Sequence, residues 1–229
     1  MLSAILGKTG AQTITDLCSG AGGPWPALAG KLVGIGAVRV LLTDKHPPHT
    51  ALACAMNAGL HNSGKNVSPG CAYFNEPVDA LALPADMNGV CTLFSSFHHF
   101  EPAVARRLLQ GLVRNGLSIG VFEATARNPL SALLLFLLAP FFVLLLTPWI
   151  RPFRWSRLFW TYCVPAVPFM MGFDGMISCL RTYTPDEMRN LASGLGDGTY
   201  TWESGRIPAH GLPASITYLI GFPSQRGSP

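Results

Sequence analysis

A short glycine-rich loop carries the residue types and spacing that could do chemistry. It runs Asp-Leu-Cys-Ser-Gly-Ala-Gly-Gly over positions 16–23, after an apolar run and before a predicted helix. Gly20 and Gly22 allow the backbone to pass close to a ligand and to adopt a positive φ. The helix that follows begins with unpaired N–H groups. In an open α/β sheet such a loop lies at the carboxyl end of the first strand, where ligands bind. A plain tight turn is the alternative interpretation.

Two carboxylates follow the next two predicted strands. Asp44 comes 24 residues after Gly20, at a position where a carboxylate can accept both hydroxyls of a ribose. Asp79, followed by Ala80, comes after the third strand, where an acid could accept an adenine amino group. Either aspartate alone would fit a helix cap or a solvated loop. A glycine loop and two acids, each at the carboxyl end of a strand, together predict a site for an adenosine cofactor.

Two other classes of nucleotide-binding protein fit this loop less well. The phosphate-binding sequence Gly-x-x-x-x-Gly-Lys-Ser/Thr is absent from the chain. A dinucleotide-binding loop needs Gly-x-Gly-x-x-Gly, but counting from Gly20 places Trp25 where the third glycine should pack on the sheet. A nicotinamide-dependent oxidoreductase therefore remains a secondary alternative.

Strands and helices alternate around the loop, and this order predicts an α/β fold with a parallel sheet covered by helices on both faces. The predicted strands before residue 125 are Thr13–Cys18, Val38–Thr43, Ala72–Phe74, Val90–Phe94 and Ser118–Phe122. The predicted helices between them are Trp25–Ile35, Thr50–Leu60 and Pro102–Arg114. A capping box at Thr184 then starts another helix, and two strands follow, Tyr200–Ile207 and Ser215–Phe222.

The composition excludes several classes of protein. Of the 229 residues, 12% are charged and 49% are hydrophobic, which excludes a disordered chain. The net charge of +4 is scattered rather than gathered into a basic stripe, so we predict no binding to nucleic acid. The six cysteines form no Cys-x-x-Cys pair and have no histidine at metal-ligand spacing, so we predict no metal site. No signal peptide opens the chain, which predicts a cytoplasmic location.

An uncharged segment follows the fifth strand. Positions 128–150 and 158–173 contain no charged residue. Residues 130–147 approach the length that crosses a bilayer, although Pro140 should kink a helix there. Because strands of one sheet precede and follow this segment, a single crossing would separate them. We therefore expect the segment to return, as a membrane-associated insertion or as a lid packed on the protein.

Arginines flank the uncharged segment on both sides, at Arg127, Arg151, Arg154 and Arg157. This distribution agrees with both ends lying on the cytosolic side of a membrane. We predict a cofactor-binding core at 1–127, a hydrophobic insertion at 128–174, and a helix and two strands at 175–229 that complete the core sheet. Since the insertion leaves the fifth strand at its carboxyl end, we expect it to lie over the ligand site.

The sequence resembles the class I S-adenosylmethionine-dependent methyltransferases. Their first motif, acid-x-Gly-x-Gly-x-Gly, matches positions 16–22 except for Cys18, and the acids of their second and third motifs match Asp44 and Asp79-Ala80. Residues 93–100 look like the version in the ubiquinone-synthesis-like branch. The resemblance covers residues 13–125 and 175–222 and implies a seven-stranded mixed sheet whose last strand inserts antiparallel. It also implies S-adenosylmethionine as cofactor, surrounded by Asp16, Gly20, Gly22, Asp44, Asp79, Ala80 and Ser95.

Methyl transfer from a sulfonium mainly requires that acceptor and methyl group be held close together and that water be excluded. A general base is optional, and His98 and His99, just after the fourth strand, are the candidates. Arg181 and Tyr183 follow the insertion and are candidate substrate contacts. Residues 95–97 lack the Asn/Asp-Pro-Pro-aromatic signature of nitrogen methylators.

The sequence therefore predicts methylation of carbon or oxygen on a small lipophilic substrate, by a cytoplasmic enzyme that is soluble or peripheral on a membrane. The alternative of a different class is a non-catalytic, membrane-associated adaptor on a degenerate methyltransferase fold.

Overall fold

A computed structural model of the chain describes residues 1–25, 27–28, 38–47, 71–74, 76–84, 87–151, 153–208 and 215–224. The predicted helix Thr50–Leu60 and most of the predicted helix Trp25–Ile35 lie outside these ranges. The chain divides into two compact units. The first unit comprises Met1–Ala124 and Pro185–Pro229, and the second unit comprises Thr125–Thr184.

Seven strands of the described residues form one mixed sheet in the first unit, in the order β3-β2-β1-β4-β5-β7-β6. Their bounds are β1 Thr13–Asp16, β2 Arg39–Leu42, β3 Cys71–Tyr73, β4 Val90–Phe94, β5 Ser118–Glu123, β6 Tyr200–Pro208 and β7 Ser215–Pro223. The first five strands are parallel, and β7 lies antiparallel between β5 and β6. The predicted fold class is confirmed, and each strand lies within two residues of its predicted ends.

The helices of the described residues are α1 Leu2–Thr9, α2 Pro102–Arg114, α3 Pro129–Leu146, α4 Trp155–Leu158, α5 Ala166–Arg181 and α6 Pro185–Ala192. A 3-10 turn at Phe97–His99 follows β4, another covers Thr147–Trp149, and a π-helical turn covers Phe159–Cys163. Helix α2 begins and ends where its apolar stripe predicts, with Pro102 in its first turn.

Burial explains why the central strands are continuous apolar runs. All six residues of β5 are buried, and β1 and β4 are buried except at one end, as expected for strands covered on both faces. The outer strand β6 shows no buried residue. The core that supports β1 includes Ile14, Val40 and Val90.

Helix α1 is an element that the sequence analysis did not predict. Ile5 and Leu6 are buried in the core of the first unit, and the helix packs against β5 and β7. It ends at Gly10, which adopts a φ of 63° and donates its N–H to the Leu6 carbonyl. Its few apolar residues are too short a pattern to indicate a helix alone, and packing on the sheet stabilises it instead.

The second unit is a helical hairpin with an apolar surface. Helices α3 and α5 pack closely because Gly172 and Gly175 have no side chain: a Cβ at Gly172 would lie 2.8 Å from the Phe136 carbonyl oxygen. Helix α3 continues through Pro140. A hydrogen bond joins the start of the unit to its end: the hydroxyl oxygens of Thr125 and Thr182 lie 2.5 Å apart.

Two segments of the described residues could cross a membrane by length and composition. The first is Pro129–Trp149, and only 11% of its apolar window is buried. The second joins Trp155–Cys163 to Ala166–Arg181 with a bend of 75°. Helix α3 is apolar on every side, unlike an amphipathic helix that lies along a surface.

Candidate functional site

The glycine loop lies at the carboxyl end of β1 and has an unusual backbone. Cys18, Gly20, Gly22 and Gly23 all adopt positive φ, at 56°, 51°, 100° and 48°. Such values are uncommon for residues other than glycine. Cys18 therefore keeps the backbone conformation that glycine would adopt more readily at its position.

Asp16 supports the loop from the interior. Its side chain is 1% exposed and accepts hydrogen bonds from the hydroxyls of Ser19 and Thr92, each at 2.6 Å. Ser19 belongs to the loop and Thr92 to β4, so the carboxylate joins the loop to the neighbouring strand. Burial raises the pKa of Asp16 from 3.8 to about 6, against the lowering effect of these hydrogen bonds. The structure thus makes Asp16 a positioning residue.

Gly20 is held by hydrogen bonds on both sides of its α-carbon. Its N–H donates to Asp44 Oδ2 at 2.8 Å, and its carbonyl accepts from the Tyr73 hydroxyl at 2.8 Å. A Cβ at Gly20 would meet no atom of the described residues within 4 Å. With respect to the described residues, the α-carbon of Gly20 therefore leaves room for a ligand to approach its backbone.

Asp44 follows the carboxyl end of β2, and Asp79 lies in the segment after β3, as predicted. Asp44 accepts a second N–H from His46 at 2.8 Å, and a carboxylate has about four acceptor positions, so it can still accept hydroxyls. Asp79 pairs with Lys45 at 2.8 Å and accepts the Leu81 N–H. The hydrogen bond from Lys45 is the main reason that the pKa of Asp79 is lowered.

Negative charge dominates the surroundings of the loop. Burial, followed by the charges of Asp44, Asp16 and Asp79, raises the pKa of the Cys18 thiol to about 12. The thiol is therefore protonated at neutral pH and is a poor nucleophile. The same carboxylates favour a ligand that carries positive charge near the loop.

An apolar cavity of about 520 Å³ opens beside the loop, at the carboxyl ends of β4 and β5. Among the residues that line it are Gly23, Phe94, Ser95, Phe122 and Ile216. The rings of Phe94 and Phe122 stack with centroids 5.0 Å apart. Ser95 has a φ of 47°, and its hydroxyl accepts the N–H of Ala124 at 3.3 Å. The cavity fits a mostly apolar molecule next to the glycine loop.

A buried carboxylate–histidine pair follows the same two strands. Glu123 is fully buried and accepts the backbone N–H groups of Phe97 and His98 at one oxygen, at 2.8 and 3.2 Å. Its other oxygen lies 2.7 Å from Nδ1 of His98. Nε2 of His98 is buried and meets no hydrogen-bond partner in the described part of the chain. His99 is exposed, with its ring centroid 4.3 Å from that of His98.

The sequence analysis missed Tyr73 and Glu123. Both lie at the last position of a strand, where side chains reach the ligand edge of the sheet, and this position was the one available signal. Arg181 and Tyr183, the candidate substrate contacts, belong to the second unit. Arg181 is exposed and Tyr183 is buried. Among the described residues, no group of three or more His, Cys, Asp or Glu side chains is placed to hold a metal ion.

Comparisons with known proteins identify similar folds among solved structures. No protein-family model and no curated protein matches the sequence. An O-methyltransferase from neocarzinostatin biosynthesis, solved with S-adenosyl-L-homocysteine and 1,4-dihydroxy-2-naphthoic acid, superposes with a TM-score of 0.52 and 14% identity, over 97% of this chain and 52% of that one.

Two further structures are similar. The methyltransferase domain of bacterial CtHen1 gives a TM-score of 0.51 and 12% identity, over 95% of this chain and 94% of that one. A Rhodobacter sphaeroides protein assigned to the zinc-dependent alcohol dehydrogenases gives a TM-score of 0.51 and 13% identity, over 93% of this chain and 84% of that one. The chain spans about half the length of several O-methyltransferases that it matches. These likenesses show a methyltransferase-like fold.

The buried carboxyl group of Asp16 predicts a pH dependence of stability. A carboxyl group whose pKa rises on folding stabilises the folded state fully below its unfolded pKa, and this contribution is lost as the pH rises through the folded pKa. For a rise from 3.8 to about 6, the free energy of unfolding should fall by about 3 kcal/mol between about pH 3 and pH 7, at about 1.4 kcal/mol per pH unit in the middle of that range.

The substitution Asp16→Asn removes this titration, so denaturant unfolding of wild type and variant should differ in slope over that pH range. Asp186→Asn, at an exposed carboxylate, is the matched control and should keep the wild-type profile. Parallel profiles for wild type and Asp16→Asn would contradict the assignment.

Proposed function

We propose that the chain is an S-adenosylmethionine-dependent methyltransferase that methylates oxygen or carbon on a small lipophilic acceptor. The observation that carries the proposal is the loop at Gly20, whose N–H and carbonyl are fixed by Asp44 and Tyr73 while no described residue would contact a side chain at its α-carbon. Ligand and acceptor would then meet at the carboxyl ends of β1, β4 and β5.

The charges around the loop favour this cofactor over a dinucleotide. S-adenosylmethionine carries a positive sulfonium, whereas a nicotinamide dinucleotide carries a doubly negative pyrophosphate. Asp44 and Asp79 lie beside the loop, and Lys45, the cation next to them, is paired with Asp79. A pyrophosphate here would meet carboxylates and a positively charged side chain that is already paired, so electrostatics disfavours it.

The residues present fit the adenosine part of the cofactor. The partly exposed Asp44 carboxylate has acceptor positions left for ribose hydroxyls, and Asp79 lies at the next strand end, where it could accept an adenine amino group. When bound, S-adenosylmethionine supplies a methyl group on a positively charged sulfur, activated for in-line displacement. The apolar cavity beside Ser95 and Phe122 would hold the acceptor and exclude water.

His98 is the residue that we assign as general base. Glu123 accepts a hydrogen bond from Nδ1–H of His98, which in the neutral ring fixes the tautomer in which Nε2 is an acceptor. Nε2 is buried and His98 does not line the cavity, so a shift of the turn at Phe97–His99 would have to expose it. An acceptor hydroxyl would then lose its proton to Nε2 as its oxygen takes the methyl group and the bond from methyl to sulfur breaks. Glu123 touches neither reactant and is a positioning residue in this scheme.

The second unit is proposed to attach the protein to the cytosolic face of a membrane. Along α3, large apolar side chains stand in solvent, with Leu133, Leu137 and Phe141 each more than half exposed. A contiguous exposed apolar surface of this kind marks a contact with a partner or a membrane. A lipophilic acceptor dissolved in that membrane would then be close to the enzyme.

The cofactor proposal predicts the effect of Asp44→Asn. The substitution keeps the side-chain shape but removes the charge and one acceptor oxygen, so binding of S-adenosylmethionine measured by calorimetry should weaken about 10- to 100-fold. Glu101→Gln, at an exposed residue before α2, should bind as wild type does. Wild-type protein that binds NADH but not S-adenosylmethionine would overturn the proposal in favour of the oxidoreductase, and protein that binds neither would favour the adaptor.

The assignment of the base predicts a loss of activity in two variants. His98→Gln removes the acceptor nitrogen, and Glu123→Gln presents an amide to Nδ1 and so reverses the tautomer. Transfer of label from methyl-labelled S-adenosylmethionine to a membrane lipid extract should fall about 10²- to 10⁴-fold in both.

A structural defect would lower the melting temperature and the affinity for S-adenosylmethionine as well, so both are measured. If His99→Gln abolishes transfer and His98→Gln does not, the base is the exposed histidine and the assignment is wrong.

The membrane proposal predicts which substitutions should move the protein from the membrane fraction to the soluble fraction of a cell lysate. Replacing Leu133, Leu137 and Phe141 with serine removes three exposed apolar side chains, each worth about 1.5–3 kcal/mol when buried, and should move the protein from the membrane to the soluble fraction. S-adenosylmethionine binding should persist, because the site lies in the first unit. Leu81→Ser, at an exposed leucine of the first unit, is the control. Wild-type protein in the soluble fraction without detergent would contradict membrane attachment.

A further inference from the structure

The second unit contains a long apolar groove that the proposed reaction does not use. Its volume is about 770 Å³. One wall is a ridge of α3 residues four apart, Leu134, Leu138, Phe142 and Leu146, which lie on one face of the helix. This ridge is about 18 Å long at 1.5 Å per residue. The hydrocarbon of one bilayer leaflet is about 15 Å deep, so the groove is long enough for an extended acyl chain.

One end of the groove is cationic. Arg157 is the one ionisable residue among those that line it. Its guanidinium donates a hydrogen bond to the Ile150 carbonyl at 3.0 Å, and an arginine has five N–H donors, so most of its donors are available. A site that is apolar along its length and cationic at its end suits a molecule with a hydrocarbon tail and an anionic head.

The charge of the whole unit favours a lipid over a protein partner. Residues 125–184 contain five arginines and one acidic residue, Asp174. The second unit of another copy of this chain would bring the same excess of positive charge and a single acidic residue to face Arg157. Anionic headgroups are complementary to this charge.

Tryptophans surround the cationic end of the groove. Trp149 and Trp155 are 71% and 77% exposed, and Trp160 is about half exposed. Exposed tryptophans beside arginines are typical of the level of the lipid headgroups. On the proposed membrane attachment, the Arg157 end would lie at the membrane interface and the ridge of α3 in the hydrocarbon.

We propose that the groove binds one acyl chain of an anionic membrane lipid, whose headgroup pairs with Arg157. The proposal rests on the membrane attachment under the proposed function and adds a lipid site with a defined selectivity. The lipid is a ligand of the second unit and is not the methyl acceptor of the cavity beside Ser95.

The first test distinguishes a specific headgroup site at Arg157 from non-specific attraction between the positively charged unit and anionic vesicles. Full-length protein in detergent is mixed with vesicles of phosphatidylcholine alone or with phosphatidylglycerol, and flotation measures binding. Arg157→Gln should reduce the preference for phosphatidylglycerol about fivefold or more. Arg151→Gln removes the same charge from an exposed position outside the groove lining and should reduce it less. Equal losses in the two variants would overturn the proposal.

The second test fills the groove without changing the charge. Ala139 lines the groove, whereas Leu137 on the same helix does not. Native mass spectrometry after exchange into phosphatidylglycerol should show one retained lipid in the wild type and in Leu137→Trp, and at least tenfold less in Ala139→Trp. Melting temperatures confirm that each variant folds.

The outcomes distinguish the two proposals. Wild-type protein that floats with vesicles but retains no lipid, or equal retention in Ala139→Trp and Leu137→Trp, overturns the groove and leaves the membrane attachment intact. Wild-type protein that floats with neither kind of vesicle overturns both. Neither result bears on the cofactor site, which calorimetry with S-adenosylmethionine tests separately.

Discussion

The buried carboxylate of Asp16 is the constraint on which the candidate site depends. Taking this group out of water is unfavourable, and two hydroxyl donors, from Ser19 and Thr92, compensate for it. The donors come from the loop and from β4, so the same hydrogen bonds that satisfy the carboxylate also fix the loop on the sheet. With the loop fixed, Gly20 meets Asp44 and Tyr73 at 2.8 Å. Losing either hydroxyl would leave the carboxylate partly unsatisfied and the loop free to move.

Glu123 repeats this arrangement at the end of β5. Its carboxylate is fully buried and collects two backbone N–H groups and the His98 ring. The turn at Phe97–His99 is thereby tied to the strand beside it, as the glycine loop is tied to β4. Buried networks of this kind fix one geometry because any other leaves a charge without partners. Two buried acids therefore organise this edge of the sheet. Asp16 fixes the loop proposed to bind the cofactor, and Glu123 fixes the histidine proposed as the base.

The sequence predicted the sheet well and its side-chain network poorly. Strands such as β4 and β5 are apolar over their whole length, so their positions could be predicted from composition alone. Asp44 could be predicted because it directly follows such a strand. The burial of Glu123 could not, because an acid after an apolar run usually indicates an exit to solvent. Its burial depends on donors 25 residues earlier in the chain. Helix α1 was missed for a related reason, since contacts with β5 and β7 stabilise it.

The contact between Thr125 and Thr182 affects the order in which the chain can fold. Glu123 of β5 pairs with Thr217 of β7, so one edge of β5 stays uncovered during synthesis until the whole second unit has left the ribosome. An uncovered strand edge invites aggregation. The entropy lost in closing a loop grows with the number of free residues in it. A hairpin that has already joined Thr125 to Thr182 reduces the free loop between β5 and β7 to the segment between Thr182 and Ser215, about a third of its full length. Early folding of the hairpin would therefore lower the entropic cost of the last strand pairing in the sheet.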